Sequence, residues 1–370
     1  MRSNRVVAGW LALAPLFVVS GVSQAEPYFA VREGLKCSSC HFNAAGGGMR
    51  NAFGNAWAQS ALPAKRIEGT GTDSWTGMVN SFIALGGNLR ANGTYTDVPN
   101  SSAQSEFDLE EVRAYLAISA IPNRLAVYVD QRVAPGGSTN LEAFARYTTE
   151  DQRWQVQAGQ FYLPYGLRLE DDGAFVRQVT GINFATPDRG VQVGYESGSV
   201  SAQLAVSNGT ASGPEPDEGK QVSLRAEHIQ NAWRVGAGFN FNHTDAGDRQ
   251  MQGVFAGVRT GPIAWLAEAD YLMDETLGPQ PDGSSERKRW VGLIEANWLI
   301  TKGQNLKITA EVFEPDTDVD EDEQNRYSLL WEYFPFQFMQ LRVGARIYDG
   351  IPQNDLQNRR IYFAQLHGFF

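Results

Sequence analysis

Cysteine, histidine and basic charge are all scarce in this sequence. Only two cysteines and four histidines stand among its 370 residues, which excludes a disulfide scaffold. Lys and Arg number 31 against 42 Asp and Glu, for a net charge of -11. That balance argues against a nucleic-acid partner, because basic surface supplies most of such affinity. Long apolar runs are missing beyond residue 25, and the mean hydropathy is -0.33, so a helical membrane bundle is excluded. A membrane β-barrel is not excluded, since alternating strands average to modest hydropathy.

The first segment reads as an address. Arg2 and Arg5 precede the apolar run from Val6 to Val22, and Ser23-Gln24-Ala25 places small residues at the -3 and -1 positions. This is the pattern of a secretory signal peptide cleaved after Ala25, with a retained anchor as the alternative. Export delivers the two cysteines to a compartment where haem attachment or a disulfide is chemically open to them.

Both cysteines fall in one motif, Cys37-Ser38-Ser39-Cys40-His41, which reads C-x-x-C-H. Two thiols three positions apart form thioethers to the two vinyl groups of one porphyrin, and the adjacent imidazole ligates the iron. A redox C-x-x-C pair and half of a zinc site are the alternatives. No second Cys pair completes a zinc site, and no thioredoxin-like pattern surrounds the motif. Met49, Phe53, Ala56 and Trp57 recur at i, i+4, i+7 and i+8, which predicts one apolar stripe on a short helix facing the haem. The segment before about residue 74 is too small to bury a porphyrin by itself and must lean on another element. Met49 is the local candidate for the second axial ligand, His367 the distant one, and an open site the third option.

From Trp75 to Phe370 the hydrophobic period is two, in 16 segments that start near residues 75, 106, 123, 140, 153, 189, 199, 219, 232, 251, 262, 287, 304, 325, 338 and 359. Short connections such as Ile121-Pro122-Asn123 and Thr301-Lys302-Gly303 alternate with long acidic ones such as Asn208–Gly219 and Asp274–Glu286. Short turns on one side and long loops on the other predict an all-β fold, a 16-stranded antiparallel outer-membrane barrel. Tyr362, Ala364, Leu366 and Phe370 share one face of the last strand, and the chain stops on an aromatic. The predicted organisation is a signal peptide over 1–25, a monohaem module over 26–74 and a barrel over 75–370.

If the apolar set faces lipid, the opposite parity lines the lumen. Its cations are Arg113, Arg132, Arg146, Arg225, Arg234, Arg259, Arg289, Lys307, Arg342 and Arg346. Its acids are Glu111, Asp130, Glu142, Glu227, Glu268, Asp270, Glu295, Glu311 and Glu332. An anion-selective pore is expected to show one dominant sign, whereas this balance predicts paired charges in an occluded barrel. His367 points inward on the same parity. Glu314 to Glu323 carries seven carboxylates in ten residues, suited to hard divalent cations either as bridges to lipopolysaccharide or for substrate capture.

A signal peptide, a single C-x-x-C-H module and about 16 strands ending in Phe together resemble the fused monohaem cytochrome–porins of the bacterial outer membrane, of which the iron oxidases are the best known. Cys37, Cys40, His41 and the terminal Phe370 carry the resemblance specifically. It implies one covalent haem c and a conduit passing electrons between an extracellular metal ion, Fe(II) foremost, and a periplasmic carrier such as a soluble cytochrome c. It implies outer-membrane lipid as the third partner. A second, patchy similarity links Gly159–Leu167 and Ser207-Asn208-Gly209 to the phosphate-selective porin O/P barrels. A solute porin whose haem module serves as plug or redox sensor is the alternative function.

Overall fold

In the computed structural model, residues 26–370 are described, apart from 70–74, 172, 183–185 and 279–283. The expected signal peptide, 1–25, lies outside them. Three short helices come first: α1 (Pro27–Glu33), α2 (Cys37–Cys40) and α3 (Ala52–Ala61). Then come β1 (Ile83–Asp97), β2 (Gln104–Ile121), β3 (Leu125–Ala134), β4 (Thr139–Thr148), β5 (Trp154–Phe161), β6 (Asp188–Ser197), β7 (Val200–Ser207) and β8 (Gln221–Ile229). The second half is β9 (Trp233–Thr244), β10 (Gly247–Thr260), β11 (Ile263–Asp274), β12 (Arg287–Thr301), β13 (Gln304–Glu314), β14 (Gln324–Tyr333), β15 (Met339–Asp349) and β16 (Arg360–Phe369). A further helix, α4 (Phe175–Thr180), sits between β5 and β6.

Each strand pairs antiparallel with its sequence neighbours, and β1 closes on β16 from Asn88↔Phe369 to Asp97↔Arg360. Closure leaves no open edge, the condition for spanning lipid with strands. The outer wall is apolar, with Val191, Leu204, Val254, Ile294, Ile308, Leu329 and Val343 all exposed. Trp154, Trp233, Trp265 and Trp298 ring it at the short-turn end, and Tyr95, Trp290, Tyr327 and Tyr362 ring the other. Two aromatic girdles flanking an apolar band mark the membrane interfaces. Tyr362, Leu366 and Phe370 face outward and His367 inward, as their parity predicts.

Two expectations are corrected. The first strand begins at Ile83, not near residue 75, because α3 draws the preceding segment away. Asn55 donates to the carbonyl of Thr76 at 3.1 Å, and Gln59 donates to that of Trp75. The short–long alternation also has two exceptions on the long-loop side, where residues 135–138 alone join β3 to β4 and residues 245–246 alone join β9 to β10.

The connection between β5 and β6 folds into the lumen. Ser223 donates to the Pro164 carbonyl at 2.7 Å, Arg225 to that of Gly166 at 2.9 Å, and Tyr165 to Asp270 at 3.0 Å. Tyr162, Leu163, Leu167, Leu169 and Val176 are buried there as a plug core. The predicted charge balance resolves into pairs: Arg113 with Asp130, Arg225 and Arg234 with Glu227, Lys307 with Glu295, Arg342 with Glu332, and Arg177 of the plug with Glu268. Buried charges persist only when paired in this way.

Candidate functional site

The N-terminal helices close the short-turn mouth. Gly34 caps α1 in the left-handed conformation, where a Cβ would stand 2.9 Å from the Asn231 backbone in the β8–β9 turn. Arg234 donates to the Leu35 carbonyl, Arg259 to that of Arg32 at 2.6 Å, and Lys36 pairs with Glu196 at 2.9 Å. Phe42 stacks on Tyr128 of β3 with ring centroids 5.2 Å apart. On the far side the Ala64 amide donates to the Phe334 carbonyl at 2.8 Å. The module is thereby held by turns from around the rim.

A single helical turn, α2, carries Cys37 and Cys40, so the two half-buried thiols share one face and are not bonded to each other. They open onto a cavity of about 70 Å³ between the module and the barrel. His41, Trp57 and His367 line the same cavity, together with Phe29, Leu167 and Phe369. Phe29 meets Trp57 at 5.4 Å and Phe334 at 6.2 Å, which builds an aromatic wall. Neither the module nor the barrel encloses this space alone, as the small size of the module required.

Met49 and Phe53 do not line the cavity. The predicted stripe fails because α3 starts at Ala52, capped by the Asn51 side chain on the Gly54 amide at 2.9 Å, and it buries Gly54, Asn55, Ala58 and Gln59 instead. A Cβ at Gly54 would lie 2.2 Å from the Cys40 carbonyl oxygen, so close helix contact there demands glycine and turns Phe53 outward, 52% exposed. Met49 is buried elsewhere, and its backbone amide donates to the Tyr128 hydroxyl at 3.0 Å. Gly54→Ala is therefore expected to cost about 1–3 kcal/mol through overpacking, read as a lower urea midpoint of tryptophan fluorescence from the module.

The donors suit a c-type haem. Burial holds the His41 imidazole down at about 3, aided by Arg50 and Arg168, so the ring is neutral and keeps a lone pair for a metal. Its Nδ1 is buried with no hydrogen-bond partner among the described residues. Burial likewise pushes the Cys40 thiol up to about 11 and raises Cys37. Arg50 and Arg168 line the cavity and offer cations to the two carboxylates that a haem carries. His367 hydrogen-bonds Gln340 at 2.7 Å and Asn88 at 2.6 Å, which fixes its ring at the cavity wall. Sequence parity placed His367 inward. Arg168 and Leu167 were missed as cavity residues because nothing in a connecting segment signals that it turns into the lumen.

No protein-family model matches the sequence, and no curated protein matches it either. Solved structures do. A loop-deletion form of OmpT, an outer-membrane protein of Vibrio cholerae, is 11% identical with a TM-score of 0.59, over 78% of this chain and 99% of that one. An anion-selective porin from Comamonas acidovorans is 8% identical with a TM-score of 0.61, over 78% and 99%. OprB of Pseudomonas putida is 8% identical with a TM-score of 0.61, over 84% and 99%. The closed lipid-facing wall, its two girdles and these likenesses make the chain a 16-stranded outer-membrane β-barrel of porin-like fold.

Proposed function

We propose that the protein is an electron conduit through the outer membrane, holding one covalent haem c at the barrel mouth. The observation that carries this reading is the convergence of Cys37, Cys40, His41 and His367 on one cavity above a filled lumen. When bound, the haem supplies a one-electron Fe(III)/Fe(II) couple. Cys37 and Cys40 would hold it covalently, and His41 would ligate its iron. Phe29, Trp57 and Phe334 exclude water, which favours a defined potential. The barrel shortens a gap that the roughly 30 Å hydrocarbon core otherwise imposes on electron transfer. Fe(II) at the acidic loop side is the favoured extracellular donor, and a soluble cytochrome c the periplasmic acceptor.

His367 lines the cavity and Met49 does not, so in this reading His367 would be the second iron ligand, on release of one of its two ring hydrogen bonds, to Gln340 or to Asn88. His367→Ala is expected to shift the haem absorption bands and the midpoint potential, whereas Met49→Leu leaves both unchanged. Unchanged spectra in His367→Ala would remove the assignment.

The solute-porin reading is favoured by one observation, that the solved barrels of the same fold include porins. Proteoliposomes separate the two. Fe(II) supplied outside should reduce the haem, and an oxidant trapped inside should reoxidise it, with no leak of small anions. A haem that stays oxidised while the vesicles leak would establish the porin instead.

A further inference from the structure

Below the cavity, Glu26, Glu170 and Glu332 place carboxylate oxygens within 4.8 Å of one another, all of them buried. Glu295 adjoins them through Lys307, at 3.9 Å. The cations facing this group are Lys307, Arg342 and Arg90. Lys307 also pairs with Glu26, and Arg90 with Glu170. Arg342 reaches Glu170 at 3.0 Å, and Glu332 and Glu26 at 3.6 Å each. Four buried carboxylates thus face three cations. An uncompensated buried charge is strongly destabilising. The Glu26 Oε2 is buried with no donor from a cation among the described residues, and its carboxyl lies against that of Glu170.

Glu26 is also the residue that follows the expected cleavage site at Ala25. We propose that removal of the signal peptide leaves the α-ammonium of Glu26 as the fourth cation of this cluster, so that the processed chain end locks the N-terminal module into the barrel. Hydrolysis of the Ala25–Glu26 peptide bond consumes one water and releases the leader with its carboxylate. The amine left behind takes a proton and needs no space beyond that of the amide nitrogen it replaces. Glu26 N-caps α1, whose Tyr28 donates to Glu332 at 2.7 Å, so the cluster, the chain end and the helix form one unit. The inference does not depend on haem. Module locking is required of a plug and of a conduit alike.

The protein purified from outer membranes should yield an N-terminal peptide starting at Glu26. Inserting Gly-Ser between Ala25 and Glu26 keeps the cleavage site but moves the amine. In a barrel verified as folded by its heat-dependent gel mobility, trypsin cleavage after Arg32 and Lys36 should then rise by at least about tenfold, as when a buried charge loses its partner. Adding Glu332→Gln, which removes one carboxylate, should restore resistance. If the inserted chain does not assemble, amine acylation of the unaltered protein serves instead, with the Glu26 amine reacting at least about tenfold faster in urea than in the folded state. A mature chain starting elsewhere, an inserted chain as resistant as the parent, failure of Glu332→Gln to restore resistance, or equal acylation would each overturn the proposal.

Discussion

Alanine in place of both Cys37 and Cys40 is expected to abolish haem staining of the denatured protein completely while leaving the barrel folded. The two thiols share the single turn of α2 and open onto the same cavity as His41, and no other cysteine exists to replace them. The barrel is held by its strand ladders and lumen pairs, to which α2 contributes nothing, so heat-dependent gel mobility should be retained. Ser38→Ala and Ser39→Ala, between the thiols, should stain normally. A parent protein that never stains, after expression with haem-attachment machinery, would sink the conduit reading and leave the porin one.

The second large effect is expected at Arg326. This buried guanidinium pairs with Glu311, reaches Asp171 at 3.0 Å, and donates to the Gly173 carbonyl at 2.7 Å, tying the plug to β13 and β14. Arg326→Ala leaves Glu311 and part of Asp171 uncompensated, a loss of about 3–5 kcal/mol. Arg346, at 3.2 Å from Asp171, offsets some of it. The plug is the part that gives way, because the strands retain their ladders. Single-channel recordings should change from a closed parent to a conducting variant. A parent already conducting at the level of an open 16-stranded pore, with no change in Arg326→Ala, would show that the filled lumen does not seal the barrel.

Strand positions were legible because each half-buried strand needs alternation, and alternation is written locally. Fifteen of the strand starts fall close to the positions that period two marks; β1 departs because contacts from α3 override it. The helix stripe misled for a related reason. Periodicity reports which residues are apolar, but at Gly54 close backbone approach to Cys40 decided which face turned inward, and Phe53 went to the surface. Arg90, Arg177 and Arg326, three of the most deeply buried side chains, were absent from the lumen set. Arg177 lies in the plug helix, whereas Arg90 keeps the inward parity of Ala84 and Asn88 on β1, the bulge at Arg90/Ala91 placing its extra residue, Glu110, on β2.

Local chemistry belonged to the sequence by itself: two thiols and an imidazole at attachment spacing, alternating strands, unequal connections and balanced lumen charge. Each depends on neighbours in the chain, so each survives without a fold. What only the tertiary structure decided is which distant groups meet. His367 enters the cavity and Met49 does not, the β5–β6 segment turns inward to fill the lumen, and Glu26 finds Glu170 and Glu332. Those meetings arise from barrel closure, which brings the last strand beside the first and the chain's start into its own interior. Closure is a long-range constraint, and no window of sequence contains it.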